Sequence, residues 1–347
     1  MSFLDQSSEV QNQRILVTGA SGFVGSRLIA HHQHQSRSEG MQFRAITRKP
    51  LVSDSACVEV RTIDNIDSTT DWSDALVGVD VVVHLAARVH VMNDHADNPL
   101  QEYRKDNVTS TLHLAQQAAK TGVKRFIFLS SIKVNGEKTK LGQPFNEESP
   151  HHPEDPYGIS KLEAEEGIQA ISQQTGMEFV FIRPPLIYGP GVKANYLKLM
   201  QLVQKRFPLP LAGISNRRSM LALDNLIDFI LLTTKHPQAA NQLFLLSDGQ
   251  SLSTAQLMNE IARAMGFTTA RLFAIPVPVL QLIAKCLGQS PAIERLTDSL
   301  EIDSQKASQL LQWNPPLSTQ AGIQLTVDDF LLHQQGRWLS KRDEAHF

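Results

Sequence analysis

Short apolar runs alternate with amphipathic helical patterns through the first half of the chain. The runs predict strands at 14–18, 43–47, 58–62, 79–85, 124–129 and 177–183, and the patterns predict helices at 23–30, 99–120 and 157–174. The run 79–85 is almost entirely apolar, which is typical of a strand buried on both faces. Strands that alternate with helices imply βαβ crossovers, and therefore a mostly parallel sheet with helices on both faces.

The pattern changes after Pro185, where turn residues cluster and the elements become shorter. Extended stretches are predicted at 219–223 and 242–247, and helices at 224–234, 254–265, 278–287, 304–311 and 318–332. We therefore predict an α/β protein, a Rossmann-type doubly wound parallel sheet with a smaller helix-rich C-terminal domain. The larger domain is predicted to cover 12–185 and to regain 218–247, and the smaller one to cover 186–217 and 248–335.

Composition and charge narrow the function classes. The chain has 33 Lys and Arg and 35 Asp and Glu, which gives a net charge of −2. It therefore lacks the excess of basic residues that is typical of proteins that bind nucleic acids or acidic membranes. Cys57 and Cys286 belong to no metal-ligating or disulfide pattern, so we expect no bound metal and a reducing cytoplasm. The N-terminus is polar and no apolar run reaches the roughly 18 residues of a membrane span, so neither a signal peptide nor membrane insertion is expected.

A glycine-rich turn joins the first predicted strand to the first predicted helix. The segment 18–25 reads TGASGFVG, in which Gly19 permits a tight turn, Gly22 lets the backbone approach a pyrophosphate, and Gly25 lets helix and strand pack closely. The helix N-terminus adds unpaired N–H groups and a positive dipole end. This context predicts a dinucleotide site in the larger domain, formed by Gly19, Ser21, Gly22, Phe23, Val24 and Gly25.

The residues after the second predicted strand bear on the choice between NAD and NADP. Dinucleotide sites often hold the ribose 2′-hydroxyl with an acidic residue here, but the segment 47–50 reads TRKP. A carboxylate would repel a 2′-phosphate, whereas Arg48 can pair with it and stack on the adenine. We therefore expect a preference for NADP(H), with NAD as the alternative.

A serine, a tyrosine and a lysine form the candidate catalytic set. Tyr157 and Lys161 are four positions apart at the start of a helix, so their side chains share one helix face. The ammonium favours the phenolate, which lets the phenol give or take a proton at an alcohol oxygen. Ser131 follows the fifth predicted strand, at the sheet edge where open α/β folds bind ligands, and can hydrogen-bond to the same oxygen.

Together these motifs resemble the extended short-chain dehydrogenases/reductases, in the branch of nucleotide-sugar epimerases, dehydratases and reductases. The matching segments are TGASGFVG at 18–25, HLAA at 84–87, Asn107, LSS at 129–131, YGISK at 157–161, RPP at 183–185 and YGPG at 188–191. The resemblance implies a bound NAD(P), the roles given above to Ser131, Tyr157 and Lys161, and a contact of Lys161 with the nicotinamide ribose. It also implies that Asp64 holds the adenine, and that Leu85, Ala86 and Ala87 line the pyrophosphate and the adjoining ribose.

The resemblance makes the smaller domain the substrate domain, with a UDP-sugar as its ligand. Arg217 and Arg295 take the places of arginines that bind the UDP diphosphate, and Asn195 takes the place of an amide that binds the same nucleotide. Lys133 is interpreted either as a substrate or cofactor contact or as a solvated lysine. Ser299-Leu300 replaces a large aromatic residue beside the sugar 2-position, which leaves room for a 2-acetamido group.

The resemblance also implies an assembly and excludes one reaction. Family members often dimerise through the helices predicted here at 99–120 and 157–174, so a homodimer is expected. Sugar 4,6-dehydratases carry an Asp-Glu pair directly after the catalytic Ser or Thr, and Ile132-Lys133 stands there instead. Neither residue supplies a carboxylic acid that could expel water from the hexose, so a 4,6-dehydratase is not expected.

The sequence leaves two enzymatic reactions and one non-catalytic role to be considered. A 4-ketoreductase would transfer hydride from NADPH to C4 of a UDP-4-keto-6-deoxy-HexNAc in surface polysaccharide synthesis. A 4-epimerase would use tightly bound NAD to invert C4 of UDP-glucose or UDP-GlcNAc. The missing acid after the second strand favours the reductase, as does SSIKVNGE at 130–137, which resembles UDP-N-acetylquinovosamine-type 4-reductases, proteins often grouped with UDP-glucose 4-epimerase-like ones. A non-catalytic NADPH-binding regulator would not need the intact Ser131, Tyr157 and Lys161.

Overall fold

The structure is a computed structural model that describes residues 13–31, 40–48, 55–89, 98–286 and 290–344. Parts of the domain, cofactor and helix predictions fall on residues 12, 49–50 and 287, which lie outside the described residues. The chain divides into two compact units: unit 1 holds Glu163–Phe181, Ile230–Gln242 and the described residues up to Leu129, and unit 2 holds Ser130–Leu162, Ile182–Phe229 and the described residues from Leu243 onward. The domain bounds predicted from the sequence remain a prediction.

The strands follow the predicted alternation. They are β1 (Gln13–Thr18), β2 (Met41–Thr47), β3 (Val58–Thr62), β4 (Val81–His84), β5 (Arg125–Leu129), β6 (Glu178–Arg183), β7 (Leu186–Tyr188), β8 (Met220–Ala222) and β9 (Gln242–Leu245). Seven of these described strands form one sheet in the order β3-β2-β1-β4-β5-β6-β9, and β7 pairs with β8. The pairs among β1 to β5 are parallel. This order is the Rossmann order, so the predicted α/β fold class is confirmed.

The described helices are α1 (Phe23–His31), α2 (Ser73–Leu76), α3 (Pro99–Tyr103), α4 (Ser110–Lys120), α5 (Pro156–Thr175), α6 (Ala194–Gln204), α7 (Leu223–Lys235), α8 (Thr254–Ala264), α9 (Val277–Cys286), α10 (Ser290–Thr297), α11 (Gln305–Leu311) and α12 (Thr319–Glu344). The single helix predicted at 99–120 is interrupted by a π-helical segment, Arg104–Thr109. α6 and α10 were not predicted. At the start of α6, Lys193 makes no side-chain capping bond and Ala194 has a φ of 54°, so the usual sequence signal for a helix start is missing.

Strands β1 and β4 of unit 1 owe their apolar runs to burial on both faces. Ile15, Leu16 and Val17 of β1 are fully buried, and every residue of β4 is buried. The loops after these strands therefore project from a rigid, dry sheet. Such a scaffold is suited to holding a ligand at a fixed place along its edge.

The core of unit 2 contains two stacked phenols. The Tyr188 and Tyr196 rings lie 5.4 Å apart, and both side chains are fully buried. The Tyr188 hydroxyl donates to Asp248 Oδ2 at 2.7 Å, and the Asp248 carboxylate also accepts from the Ala222 N–H and the Asn225 amide. Burial raises the pKa of both phenols far above the ordinary value for tyrosine, and the negative charge of Asp248 raises it further. Both phenols therefore stay protonated.

Candidate active site

The carboxyl ends of the neighbouring parallel strands lie along one edge of the sheet in unit 1. Thr18 at the end of β1 is in register with Ile46 of β2 and with His84 of β4. The Ile63 N–H beyond β3 donates to the Thr47 carbonyl at the end of β2. The predicted cofactor residues of unit 1 therefore leave the sheet from adjacent strand ends. They are the glycine turn, Arg48, Asp64 and Leu85–Ala87, of which Arg48 and Asp64 are exposed.

The glycine turn has no room for side chains at two of its glycines. Gly19 has a φ of +67°, and a Cβ there would lie 2.8 Å from the Ala86 amide nitrogen. A Cβ on Gly25 would overlap the Gly19 carbonyl oxygen. At Gly22 the nearest atom would be the same oxygen at 3.1 Å. The turn thus brings backbone without side chains against Leu85 and Ala86, which follow β4. A site that binds a pyrophosphate (a pyrophosphate cradle) requires such a close approach of the backbone.

A chain of buried polar side chains holds this arrangement in place. The Thr18 hydroxyl accepts from the Leu85 and Ala86 N–H groups, each at 3.2 Å, and lies 2.7 Å from His84 Nδ1. Since it accepts twice, it donates its own proton to Nδ1, and His84 is assigned the tautomer with the proton on Nε2. That nitrogen lies 2.9 Å from the Thr111 hydroxyl, so it donates there. In the sequence, His84 is visible only as part of the HLAA motif at 84–87, and no local signal marks Thr111.

These residues fit a dinucleotide. The turn exposes backbone instead of side chains, and α1, which starts at Phe23, carries no acidic residue in its first turn to repel a phosphate. The remaining predicted contacts, Ser21 and Val24, lie within or directly after the turn, Ser21 exposed and Val24 buried. The exposed Ser21 hydroxyl can add a donor to the backbone N–H groups of the turn, whereas the Val24 side chain packs inside.

The three predicted catalytic residues all lie in unit 2. Ser131 caps a 3₁₀ turn at 132–134, and its hydroxyl accepts the Lys133 N–H at 3.3 Å. That hydroxyl donates to no other group in the described part of the chain, so its proton is available to a substrate oxygen. The adjacent Ser130 hydroxyl is buried without a hydrogen-bond partner among the described residues, which the sequence analysis did not anticipate.

Tyr157 and Lys161 share one face of α5, as their spacing predicts. The Lys161 Nζ lies 5.8 Å from the centre of the Tyr157 ring, and Lys161 is only 2% exposed. At this distance the ammonium lies within the range of a cation–π contact with the ring. The phenol itself is partly buried, so a substrate can still reach it. The shared helix face is therefore observed, and the stabilisation of a phenolate by Lys161 stays a prediction.

Lys133 is neither a solvated surface lysine nor a side chain without partners. Its Nζ lies 2.6 Å from Glu137 Oε1 and 2.5 Å from Asp155 Oδ2. Burial alone would lower the pKa of this ammonium, but the hydrogen bonds and charges of Asp155 and Glu137 raise it above its ordinary value. The other Asp155 oxygen accepts the Gly158 N–H at 2.7 Å, at the start of α5. Lys133 therefore belongs to an ion triplet beside the start of α5, the helix that carries Tyr157 and Lys161.

The predicted nucleotide-binding residues are scattered over unit 2. Arg217 pairs with Glu301, its Nε 2.9 Å from Oε1, and Glu301 Oε2 also accepts the Gly142 N–H at 2.8 Å. Asn195, near the start of α6, and Arg295, on α10, are exposed. Within the described ranges, no hydrogen bond or ion pair joins either of them to Arg217.

Arg218, which the sequence analysis passed over, is the better-buried neighbour of Arg217. Its Nη1 donates to the Asp298 carbonyl at 3.0 Å, and the negative charges of Asp298 and Glu137 act on its guanidinium. Burial lowers the pKa of its guanidinium below the ordinary value. The charges of Asp298 and Glu137 oppose this shift of the pKa without cancelling it, so the guanidinium of Arg218 is a partly buried cation that an anion can approach. The adjacent Arg217 and Arg218 indicate a cationic site in the sequence, but the sequence does not show which of the two side chains is buried.

The geometry above agrees with the comparisons with known proteins. The model of the NAD dependent epimerase/dehydratase family matches residues 15–245. The chain belongs to this family. It is 44% identical to the UDP-glucose 4-epimerase of Vibrio cholerae over 320 residues, which cover 91% of this chain and 95% of the relative. It is 30% identical, over 73% of both chains, to N-acetyl-alpha-D-glucosaminyl-diphospho-ditrans,octacis-undecaprenol 4-epimerase of Escherichia coli O157:H7.

The fold of this enzyme is that of solved epimerases. The crystal structure of UDP-glucuronic acid 4-epimerase from Bacillus cereus in complex with NAD superposes with a TM-score of 0.72, at 20% identity, and covers 91% of this chain and 98% of that one. Membership confirms the predicted extended short-chain dehydrogenase/reductase enzyme, and the family binds NAD; the predicted preference for NADP(H) stays a prediction. Among the described residues, no helix is long and apolar enough to cross a membrane, and no cluster of three His, Cys, Asp or Glu could ligate a metal.

Proposed function

We propose that this enzyme is a UDP-sugar 4-epimerase that works with tightly bound NAD. The observation that carries the proposal is the 44% identity, over nearly the whole chain, to the Vibrio cholerae UDP-glucose 4-epimerase. It reverses the order of the two reactions considered from the sequence, where the 4-ketoreductase was favoured. Neither relative described above is named as a reductase, whereas both are named as 4-epimerases.

The residues of unit 2 suit the proton transfers of epimerisation. Tyr157 as phenolate removes the proton from the sugar C4 hydroxyl, while the Ser131 hydroxyl donates a hydrogen bond to the same oxygen. NAD supplies a carbon that accepts the C4 hydride and gives it back. Lys161 stabilises the phenolate, and Tyr157 returns the proton once the 4-keto sugar presents its other face. Proton and hydride both return to the sugar, so no external oxidant or reductant is consumed.

We propose that the sugar is glucose, or its 2-acetamido derivative. The support is the small Ser299 beside Leu300, where the family resemblance places a large aromatic residue. Leu300 is 6% exposed, and its backbone bonds to Arg217 O and to the Ser219 N–H at 2.9 and 2.8 Å. This segment is therefore fixed beside the two arginines, and its short Ser299 side chain leaves space for an N-acetyl group.

The UDP diphosphate is expected to bind Arg218 more strongly than Arg217. Arg218→Met should raise the KM for UDP-glucose about 10- to 100-fold, because a charge-assisted hydrogen bond contributes about 1.5–3 kcal/mol. Arg217→Met is the matched control and should change KM less, since Glu301 already engages that guanidinium. Initial-rate measurements on both variants test this, and a larger effect at Arg217 would contradict it.

The decisive experiment separates epimerase from reductase. Purified protein is denatured, and the released dinucleotide is identified together with its oxidation state. Native protein is then incubated without added cofactor with UDP-glucose and UDP-GlcNAc, and with NADPH plus a UDP-4-keto-6-deoxy-HexNAc. We expect co-purified NAD and interconversion of at least one UDP-sugar pair. NADPH consumption with the keto sugar and no interconversion would overturn the epimerase.

The 4-ketoreductase remains the second candidate because of Arg48. This exposed residue follows β2, where an acidic residue would disfavour NADP. The measurement that weighs it is the ratio of NADPH to NADH affinity in the wild type and in Arg48→Ala. A ratio well above one that falls on substitution would support the reductase, and a ratio below one in both proteins would support the epimerase.

A further inference from the structure

Lys133 contacts both segments that carry the catalytic residues of unit 2. Its ammonium bonds to Glu137, at 2.6 Å, in the segment that follows Ser131. It also bonds to Asp155, at 2.5 Å, two residues before Tyr157. The three side chains are partly buried, with 30%, 38% and 20% of the Lys133, Glu137 and Asp155 side chains exposed. Ion pairs shielded to this degree are held more firmly than fully exposed ones.

The backbone of Lys133 contacts the same two segments. Its N–H donates to the Ser131 hydroxyl at 3.3 Å. Its carbonyl oxygen lies so near Gly158 that a Cβ there would be 2.8 Å from it. Gly158 in turn donates its N–H to Asp155 Oδ1 at 2.7 Å. The first turn of α5, which contains Tyr157, thus packs directly against the residue that orients Ser131.

We infer that Lys133 is a positioning residue: its ion triplet with Glu137 and Asp155 fixes the Ser131 hydroxyl relative to the Tyr157 phenol. The inference rests on the proposed proton transfer by Tyr157 and deepens it. Both groups must address one C4 oxygen, and catalytic groups must be held to about half an ångström. A misplacement of about 1 Å costs on the order of 100-fold in rate.

The competing role is direct contact of Lys133 with substrate or cofactor. The ammonium has three N–H groups, and the two carboxylates already accept from it. A substrate contact would act on binding, whereas a positioning role acts on turnover. Loss of the Asp155 charge distinguishes the two roles. If Lys133 positions Ser131 through the ion pair, this loss lowers kcat; if Lys133 binds the substrate directly, kcat does not depend on the Asp155 charge in this way.

The test compares Lys133→Met, Asp155→Asn and Lys133→Arg. Asparagine retains an oxygen to cap Gly158, so Asp155→Asn removes the ion pair but keeps the helix start. Lys133→Met and Asp155→Asn should each lower kcat about 10- to 100-fold with KM for UDP-glucose within about twofold. Lys133→Arg should retain most of the activity, and Lys138→Met, an exposed lysine next to Glu137, should behave as wild type.

Two combinations tie the effect to Ser131 and to the ion pair. In a Ser131→Ala background, Lys133→Met should cause a smaller further loss of kcat than in wild type, because one of the two groups that the triplet aligns is gone. The Lys133→Met/Asp155→Asn double variant should be no worse than the more damaged single variant. Fully additive losses in either combination, or a rise in KM at unchanged kcat, would overturn the positioning role.

A readout independent of activity separates this inference from the proposed function. Hydrogen exchange should become faster in peptides covering 131–137 and 155–161 in Lys133→Met and Asp155→Asn, and remain unchanged in Lys138→Met. If wild type fails to epimerise any UDP-sugar, the proposed function is wrong, and the exchange result still decides whether the triplet fixes these segments. Unchanged exchange in both variants would refute the inference even if epimerisation is observed.

Discussion

Replacement of Tyr157 by phenylalanine is expected to lower kcat for UDP-sugar interconversion about 100- to 10,000-fold, the range that general acid–base catalysis contributes. The phenol is the group that takes and returns the C4 hydroxyl proton, and phenylalanine keeps the ring while removing that oxygen. The affinity for NAD should stay within about twofold, since the glycine turn and the residues after β4 lie elsewhere in the chain. Initial rates and NAD titration by calorimetry measure the two quantities separately.

Tyr103→Phe is the matched control for this substitution. Its hydroxyl donates to the Val89 carbonyl at 3.3 Å in unit 1, so its loss removes one phenol oxygen without touching Ser131 or Lys161. It should retain wild-type kcat. If Tyr157→Phe keeps more than about a tenth of wild-type kcat, Tyr157 is not the general base and the proposed proton transfer is wrong.

Gly19→Ala is expected to abolish measurable NAD binding. The added methyl would lie 2.8 Å from the Ala86 nitrogen, and the φ of +67° is unfavourable for any residue with a Cβ. The turn can respond only by moving away from the segment after β4, which opens the pyrophosphate cradle. The affinity is measured by calorimetry on protein from which the bound dinucleotide has been removed.

Two further glycines separate crowding from backbone strain. Gly122 has a φ of +85°, but a Cβ there would meet nothing within 4 Å, so Gly122→Ala shows the cost of the backbone conformation alone. We expect it to lower the free energy of unfolding by about 1–2 kcal/mol and to leave NAD affinity unchanged. If Gly19→Ala is too unstable to purify, Gly22→Ala, with its milder 3.1 Å contact, should still weaken NAD binding. Unchanged affinity in Gly22→Ala would contradict the cradle.

The sheet could be predicted from the sequence because burial on both faces leaves a continuous apolar run. β1 and β4 show this most clearly, and the predicted strands fall within a few residues of β1 to β6. The π-helical segment Arg104–Thr109 could not be predicted, because its residues have the same periodicity as an ordinary helix. α6 was missed because no capping side chain marks its start.

The site was predictable where chemistry follows local spacing, and not where it depends on contacts distant in sequence. Tyr157 and Lys161 share a helix face because they are one turn apart. The partner of Lys133, Asp155, lies 22 positions away, and only the folded chain shows that it engages the ammonium. Arg217 and Arg218 are adjacent in an extended segment, so they point in opposite directions, and sequence alone did not identify the buried one.

The stacked phenols in the core of unit 2 make the catalytic tyrosine observable by spectroscopy. The chain contains four tyrosines, and Tyr188 and Tyr196 stay protonated because burial and the Asp248 charge oppose their ionisation. Neither of these two rings therefore contributes to the ultraviolet change that accompanies phenolate formation. In the Tyr103→Phe protein, a simple absorbance titration follows the ionisation of Tyr157 alone, without substrate, cofactor turnover or isotopic labelling.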